Sequence, residues 1–260
     1  MSEYGYKVNK IETLNDISSD CSFWYEYKGL NFLSKRKSIN ENLVVIFHGC
    51  IPEKTSNVFR GYDFVIENTD IVCVSNMLTN IYPDLRVSWY LSSKKYDVHG
   101  LCMELFRYLL DNKTYKNIIF TGTSAASYPS IRYASIFNKT AITSNPQIYL
   151  ELNLLYKNAK NRINIENDDF IYDERDIENI IKNNNPQKII LYQNTLDHDD
   201  DKYSTFVKFM NNGYSDIFEF IPFKGPHVCA PNKTQHHYNF PNNKNHLTIL
   251  REYLAKMTIS

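Results

Sequence analysis

Residues 117–135 form the part of the sequence best suited to chemistry. An apolar run, NIIFT, is followed by the small residues GTSAA at 122–126 and then by a helical pattern. A serine on such a sharp strand-to-helix turn has a strained backbone, so the residues two places before and two places after it must be small. Gly122 and Ala126 meet this condition. The pattern predicts a nucleophile elbow, with Ser124 as the nucleophile of acyl chemistry.

Two segments could supply the backbone N–H groups that stabilise an oxyanion. The helix that starts behind the serine directs its unpaired N–H groups toward the hydroxyl, which makes Ala125 the first expected donor. The apolar run LVVIF ends in His-Gly-Cys, where a glycine lets a backbone N–H face the reacting carbonyl, so we expect Cys50 or Gly49 as the second donor. The alternatives are a plain turn at His-Gly, and a packing turn or phosphate-binding helix start at the elbow.

A serine hydroxyl needs a base and an orienting acid before it can act as a nucleophile. Two late apolar runs lead into loops that carry such groups: Asp197 follows KIILY, and His227 follows IFEFIPF. The chain order of serine, acid and histidine is the order expected after a nucleophile elbow. Other candidates are Asp199 as the next choice of acid, its neighbours Asp200 and Asp201, and the reserve bases His236 and His237.

We expect no metal site. The aspartates at 197, 199 and 201 are spaced as in a calcium loop, but Lys202 stands where that loop needs glycine and Lys208 where it needs glutamate. The spacing of Cys229 and the nearby histidines matches no structural zinc site. The sequence also has neither of the two common glycine-rich phosphate loops.

The elements that must position these residues follow from hydrophobic periodicity. Short apolar runs predict strands at 43–47, 71–75, 117–121, 141–144, 188–192 and 217–222. Helical patterns lie at 99–111, 128–137, 150–160, 176–182, 203–211 and 246–257. Alternating strands and helices favour a doubly wound, mostly parallel sheet with helices on both faces. Residues 22–37 predict an antiparallel hairpin around Lys28-Gly29 that opens the sheet.

Length and composition favour one domain over residues 1–260, with a possible helical lid or insertion at 150–185. Lysine plus arginine equals aspartate plus glutamate at 29 each, so no global charge attracts nucleic acid. No apolar stretch is long enough for a membrane span, and Met1–Lys10 lacks the apolar core of a signal peptide. The odd number of widely spaced cysteines, five, indicates reduced thiols, and we expect a cytoplasmic protein.

The GTSAAS, HGCIP, QNTLDHDD and KGPH segments together resemble α/β-hydrolase-fold serine acyl enzymes of bacterial capsule and surface-polysaccharide loci, particularly capsular polysaccharide O-acetyltransferases. The resemblance implies an α/β-hydrolase-type sheet, acetyl-CoA as co-substrate and a polysaccharide or oligosaccharide acceptor. It also implies that Ser124 carries the acetyl group, His227 acts as base and Asp197 orients that base. The Trp89-Tyr90 pair and residues 144–149 are similar to segments that could line an acceptor groove.

Three other functions remain open at this stage. Acyl transfer to water would make the protein a carboxylesterase or a deacetylase of acylated glycans, and no residue in the sequence distinguishes water from a sugar hydroxyl as acceptor. A hydrolase-like module that only binds glycans would keep the fold without the chemistry. A nucleotide-sugar glycosyltransferase could share a doubly wound sheet, although the missing phosphate loops count against it.

Overall fold

The computed structural model describes residues 7–51, 58–93, 95–152, 154–162, 176–195, 200–224 and 245–259. The strands are β1 (Val8–Ile11), β2 (Cys21–Tyr27), β3 (Leu30–Arg36), β4 (Asn42–Phe47), β5 (Thr69–Val74), β6 (Asn117–Thr123), β7 (Thr140–Ser144), β8 (Lys188–Asn194) and β9 (Phe218–Phe223). The α-helices are α1 (Met77–Ile81), α2 (Val98–Asp111), α3 (Ser127–Ile136), α4 (Leu154–Arg162), α5 (Ile177–Asn184), α6 (Asp200–Gly213) and α7 (His246–Ile259). Short 3₁₀ turns cover Leu14–Asp16, Ser124–Ala126 and Leu150–Leu152.

The nine strands form one mixed sheet in the order β1-β2-β3-β5-β4-β6-β7-β8-β9. From β5 to β9 all neighbours are parallel, while β3 runs antiparallel to both β2 and β5. The chain leaves β4 toward β5 on one side and returns to β6 on the other. Ligands of open α/β sheets bind outside the carboxyl ends of the strands where the strand order reverses in this way, which here is between β4 and β6.

The alternation of side chains along β4 divides the core into two layers. Leu43, Val45 and Phe47 belong to the layer that contains the buried faces of α2, α3, α5 and α6. Val44 and Ile46 belong to the opposite layer, which α7 and the 58–66 segment cover. Because both faces are buried, the central strands read as continuous apolar runs. The predicted doubly wound sheet with helices on both faces is therefore confirmed.

The predicted hairpin is also confirmed, since β2 and β3 pair antiparallel around Lys28 and Gly29. Both turn residues have positive φ, 48° and 87°, as a two-residue hairpin turn with right-handed twist requires. The structure adds β1, which pairs in parallel with β2 and was not predicted. Another correction concerns β9, which is half-exposed rather than buried on both faces.

The segment at 150–185 contains a 3₁₀ turn, α4 and α5, and residues 163–175 of it lie outside the described residues. The helix α5 contacts α3 and buries Ile177, Ile180 and Ile181 in the core. The acidic segment is partly helical, because α6 begins at Asp200 where a polar loop was expected. Among the helices described, none combines the length and apolar character needed to cross a bilayer.

Candidate active site

The strand-to-helix junction at Ser124 has the strained geometry of a nucleophile elbow. The strand β6 ends at Thr123, a 3₁₀ turn begins at Ser124, and α3 follows from Ser127. Ser124 has a φ of 57°, in the left-handed region where a residue with a Cβ costs about 1–2 kcal/mol. Strain of this kind persists only where the surroundings impose it, and it is concentrated at functional sites.

The small residues around the elbow are required by direct contact across the turn. A Cβ added to Gly122 would lie 2.5 Å from the Cβ of Ala126 and 2.7 Å from its carbonyl oxygen. Separations this short are not possible without moving the helix away from the strand. The requirement for small residues two places before and after the serine therefore holds in the structure, with Ala126 in place of a glycine.

Buried hydroxyl groups hold the elbow in this conformation. Ser127 donates to the carbonyl oxygens of Gly122 and Ser144, at 3.3 and 3.1 Å, and so ties the start of α3 to the ends of β6 and β7. Ser130 donates to the Ala126 carbonyl at 2.7 Å. The carbonyl of Ser124 itself accepts from the Gln147 N–H at 3.3 Å, which brings the loop after β7 against the nucleophile.

The two segments predicted to form the oxyanion hole meet at this elbow. A Cβ built on Gly49 would lie 3.0 Å from the Thr123 carbonyl oxygen and 3.7 Å from the backbone nitrogens of Ala125 and Ala126. A larger residue than glycine would fill the space between β4 and the elbow. The next residue, Cys50, is half-buried, and burial raises the pKa of its thiol, so the thiol stays protonated and does not compete as a nucleophile.

His48 fixes the position of the loop that follows β4. Its ring is buried, its Nε2 accepts the Asn76 backbone N–H at 2.9 Å, and its Nδ1 lies 2.8 Å from the Gly49 carbonyl oxygen. Since Nε2 is an acceptor, Nδ1 carries the proton and donates to Gly49. Burial lowers the pKa of His48 to about 4, so the ring is neutral and this tautomer persists near neutral pH. A fixed Gly49 carbonyl orients the peptide whose N–H belongs to Cys50.

Trp89 and Tyr90 support this arrangement from the core and do not line a surface groove. Both are 1% exposed, so the prediction that they face an acceptor is wrong. The Tyr90 hydroxyl accepts from the His48 N–H at 3.2 Å and donates to the Val74 carbonyl at 2.7 Å, which connects the ends of β4 and β5. The sequence did not reveal the supporting roles of His48 and Tyr90, because these roles depend on contacts between distant segments.

The predicted acid and base, Asp197 and His227, lie outside the described residues. The same holds for the alternative acid Asp199, for the reserve bases His236 and His237, and for Cys229. The strands that lead to the two loops end side by side, since the Thr195 N–H donates to the Phe223 carbonyl at 2.8 Å. The Asn194 N–H donates to the Asn145 side chain at 2.8 Å. The carboxyl ends of β7, β8 and β9 thus meet at the edge of the sheet where Ser124 lies.

Metal ligands do not cluster in the described residues, where no three His, Cys, Asp or Glu side chains are grouped to hold an ion. The four described cysteines, Cys21, Cys50, Cys73 and Cys102, are free thiols.

No family model matches this sequence, and no curated protein matches it either. The capsule O-acetyltransferase of Neisseria meningitidis serogroup A is similar in structure, with a TM-score of 0.61 at 15% identity over 91% of this chain and 94% of that one. A mutant of that enzyme in complex with CoA gives a TM-score of 0.60 at 14% identity, over 95% of this chain and 100% of that one.

Two hydrolases are similar to nearly the same degree. An S-formylglutathione hydrolase from Agrobacterium tumefaciens has a TM-score of 0.58 at 10% identity, over 91% of this chain and 93% of that one. Esterase B from Lactobacillus rhamnosis has a TM-score of 0.56 at 12% identity, over 88% of this chain and 80% of that one. The chain has the α/β-hydrolase fold. At these identities the likeness establishes the fold and not the function.

Proposed function

We propose that the protein is a serine acyltransferase that moves an acetyl group from acetyl-CoA to a hydroxyl of a bacterial capsular or surface polysaccharide. The proposal assigns Ser124 as nucleophile, His227 as base and Asp197 as the acid that orients it. The backbone N–H groups of Ala125 and of Cys50 or Gly49 are assigned to the oxyanion hole.

The observation that carries the proposal is the left-handed backbone of Ser124 directly against the Gly49-Cys50 turn. Either feature alone has a structural explanation as a turn. Their contact at the point where the strand order reverses is the arrangement that acyl chemistry needs, because nucleophile and oxyanion donors must act on one carbonyl. The sequence resemblance to capsular O-acetyltransferases and the fold shared with such an enzyme support the choice of reaction.

In the first step His227 takes the proton of the Ser124 hydroxyl while the serine oxygen attacks the thioester carbonyl. The oxyanion of the tetrahedral intermediate accepts hydrogen bonds from the assigned backbone N–H groups. Collapse of the intermediate breaks the carbon–sulfur bond, and His227 returns the proton to the departing thiol of CoA. The product is acetyl-Ser124.

In the second step a sugar hydroxyl attacks the acetyl-serine carbonyl, and His227 removes the proton of that hydroxyl. The Ser124 oxygen leaves and takes the proton back, so the enzyme is regenerated and the sugar carries the ester. Asp197 keeps the histidine in the tautomer that accepts a proton at the reacting nitrogen and stabilises the imidazolium that forms in each step.

A carboxylesterase or deacetylase acting on acylated glycans is the second candidate, in which water takes the place of the sugar hydroxyl. The fold shared with S-formylglutathione hydrolase and with esterase B favours this candidate. The two reactions share the acyl-enzyme and differ in the acceptor that reaches it.

The first experiment labels the nucleophile independently of the acyl donor. Wild-type protein, Ser124→Ala and the matched control Ser38→Ala are each treated with a fluorophosphonate and, separately, with acetyl-CoA, and the intact masses are measured. Ser38 is an exposed serine after β3, which ends beside the amino end of β5, whereas Ser124 follows the carboxyl end of β6. We expect one phosphonate on the wild type and on Ser38→Ala and none on Ser124→Ala, because only an activated serine reacts.

The acetyl-CoA arm separates the two candidates. Acetyl on the wild type, absent from Ser124→Ala, supports acetyl-CoA as donor, and loss of that adduct on adding an oligosaccharide acceptor, with the acetyl recovered on the sugar, supports the transferase. A phosphonate adduct without any acetyl supports the esterase. If the wild type does not react with fluorophosphonate, or if Ser124→Ala reacts equally well, the assignment of Ser124 is wrong.

A further inference from the structure

A cleft of about 640 Å³ lies between the loop after α1 and the helix α4. Its volume is within the range of small-molecule sites. Three aliphatic side chains form its apolar wall, and its polar groups come from Asp84, Arg86, Asn158, Asn161 and Arg162. None of these lining residues takes part in the proposed acyl chemistry.

The described polar side chains of the cleft are two arginines, two neutral asparagines and one aspartate, so they carry one net positive charge and more hydrogen-bond donors than acceptors. Two guanidinium groups and two side-chain amides face one carboxylate, and that carboxylate, Asp84, is already paired with Arg162 at 2.6 Å. The Arg162 guanidinium also lies over the ring of Tyr82, 4.9 Å from its centroid, which helps to hold it in place. Arginine presents a planar fork of donors that matches the geometry of phosphate and carboxylate groups.

Arg86 connects the cleft to the candidate active site. Its carbonyl accepts the Ile51 N–H at 2.9 Å, and its Nε donates to the Ile51 carbonyl at 3.2 Å. Ile51 follows Cys50 of the assigned oxyanion hole, and the positive charge of Arg86 opposes part of the rise that burial causes in the pKa of the Cys50 thiol. One wall of the cleft is therefore continuous with the segment that contacts the elbow.

The helix α4 is fixed against the same loop from the core side. Tyr156 of α4 is fully buried and makes an edge contact with Trp89, with ring centroids 5.8 Å apart. Trp89 and its neighbour Tyr90 have positive φ values of 51° and 58°, a costly backbone that two buried rings hold in place. The wall that carries Asn158, Asn161 and Arg162 is thus anchored rather than loosely placed, as a preformed binding site requires.

The geometry points to this cleft as the binding site for an anionic group, a phosphate or a carboxylate, that one of the two substrates carries. Arg86 and Arg162 recognise the charge, and Asn158 and Asn161 donate to neighbouring oxygens. The inference rests on the proposed function for the identity of the substrates. The anionic group belongs either to the acyl donor, as the phosphates of CoA, or to the acceptor, as the carboxylates of an acidic saccharide.

The test measures binding, so it does not depend on turnover. Calorimetric titrations use the full chain with Ser124→Ala, to which Arg162→Gln, Asp84→Asn or the control Arg107→Gln is added. Arg107 is an exposed arginine on α2 that does not line the cleft. The donor probes are CoA and pantetheine, which lacks every phosphate, and the acceptor probes are trigalacturonic acid and neutral maltotriose.

We expect Arg162→Gln to weaken binding of the anionic probe on the order of tenfold, the effect of losing a charge-assisted contact. Asp84→Asn should tighten binding of that probe, because it removes the one carboxylate among the described residues that line the cleft, and Arg107→Gln should change nothing. The neutral probes should not respond to any of the three. An effect on CoA and not on pantetheine assigns the cleft to the donor, and an effect on trigalacturonic acid and not on maltotriose assigns it to the acceptor.

Three results would overturn the inference: equal loss of affinity with Arg162→Gln and Asp84→Asn, equal effects on anionic and neutral probes, or no binding of either anionic probe. The outcome is separate from that of the labelling experiment. A fluorophosphonate result against Ser124 leaves the binding data interpretable, and a failure of the cleft leaves acetyl-Ser124 chemistry intact.

Discussion

Backbone strain at single residues is concentrated around the candidate site. Among the described residues, the non-glycine positions with positive φ include four asparagines and Lys28 of the hairpin turn, where such a backbone is common. The others are Ser124, Trp89 and Tyr90, which are residue types that rarely adopt a backbone with positive φ. One of these is the assigned nucleophile, and the other two hold the loop that contacts the oxyanion segment and the cleft. The strain therefore marks the parts of the site that must keep a fixed geometry.

His48 should act as a positioning residue for the oxyanion hole. Replacing it in His48→Leu removes the bonds to the Gly49 carbonyl and the Asn76 N–H, so the Cys50 N–H loses its fixed direction. We expect kcat for p-nitrophenyl acetate hydrolysis to fall on the order of 100-fold, the effect of losing one oxyanion donor, with KM nearly unchanged. The control is His99→Leu, which replaces another histidine with a lowered pKa, one on α2 whose Nδ1 lies 3.2 Å from the Tyr133 hydroxyl. Equal losses in the two variants, or a change in KM alone, would show that His48 is only structural.

The local sequence was sufficient to predict the elbow, but it did not predict the contacts from other segments that hold the oxyanion turn beside it. The need for small residues at 122 and 126 follows from steric contact within one turn, so it can be seen in five consecutive letters. The roles of His48 and Tyr90 depend on Asn76 and Val74, which lie in the loop after β5 and at the end of β5. Contacts of this kind are not visible in residue types or spacing, and the acid and base stay predictions.

At the scale of elements, the two ends of the parallel strands have different roles. The carboxyl ends of β4 and β6 carry the oxyanion turn and the elbow. The amino end of β5 instead carries Asp70, a fully buried carboxylate. Its partners are the Lys113 ammonium at 3.0 Å, the Tyr115 hydroxyl at 2.8 Å, the Asn40 amide at 2.7 Å, the Lys37 N–H at 2.9 Å and the Arg36 guanidinium at 3.7 Å. These contacts connect the end of β3 and the start of β5 to the loop after α2.

Asp70→Asn should destabilise the fold without affecting catalysis. It leaves Arg36 and Lys113 without their buried counter-charge, and breaking such a pair costs about 3–5 kcal/mol. The control is Glu219→Gln, which breaks a half-exposed pair with Lys188 at 2.6 Å and should cost at most about 1 kcal/mol. Urea denaturation gives both free energies of unfolding, and kcat is measured well below the transition. A loss of stability no larger than that of the control would mean that the Asp70 cluster is not a structural anchor.

Element prediction succeeded for the core strands and missed the first edge strand and the shortest helix. All six predicted strands are present. Five of them are mostly buried on both faces and read as apolar runs, and the sixth, the half-exposed edge strand β9, is still rich in apolar residues. The edge strand β1 has the sequence VNKI, with two polar residues in four, and gave no such run. The helix α1 is five residues long, too short for a helical period to show.

At the scale of the whole molecule, each of the two layers beside the sheet contains a neutral histidine, buried in the case of His48 and half-buried in the case of His246. His48 lies at the end of β4, and His246 starts α7 on the opposite layer. The Thr121 hydroxyl donates to the Ile142 carbonyl at 2.7 Å, so its oxygen accepts from His246 Nε2 at 2.6 Å. Burial lowers the pKa of His48 and of His246 to about 4 each. Both rings are therefore neutral near neutral pH.

These two histidines should make the fold less stable in mild acid. A free histidine has a pKa near 6.5, so between about pH 6.5 and 4 the unfolded chain binds protons that the folded protein does not, and stability falls as the pH is lowered. Each of these two histidines should lower the free energy of unfolding by about 2 kcal/mol when the pH falls from 7 to 5. Burial also lowers the pKa of His99, to about 3, so three histidines contribute. Urea denaturation at the two pH values measures the loss, and His246→Gln, which cannot titrate, should reduce the histidine contribution by about a third. A loss in His246→Gln as large as in the wild type would mean that His246 is not held neutral, because the remaining acid sensitivity would then come from other groups.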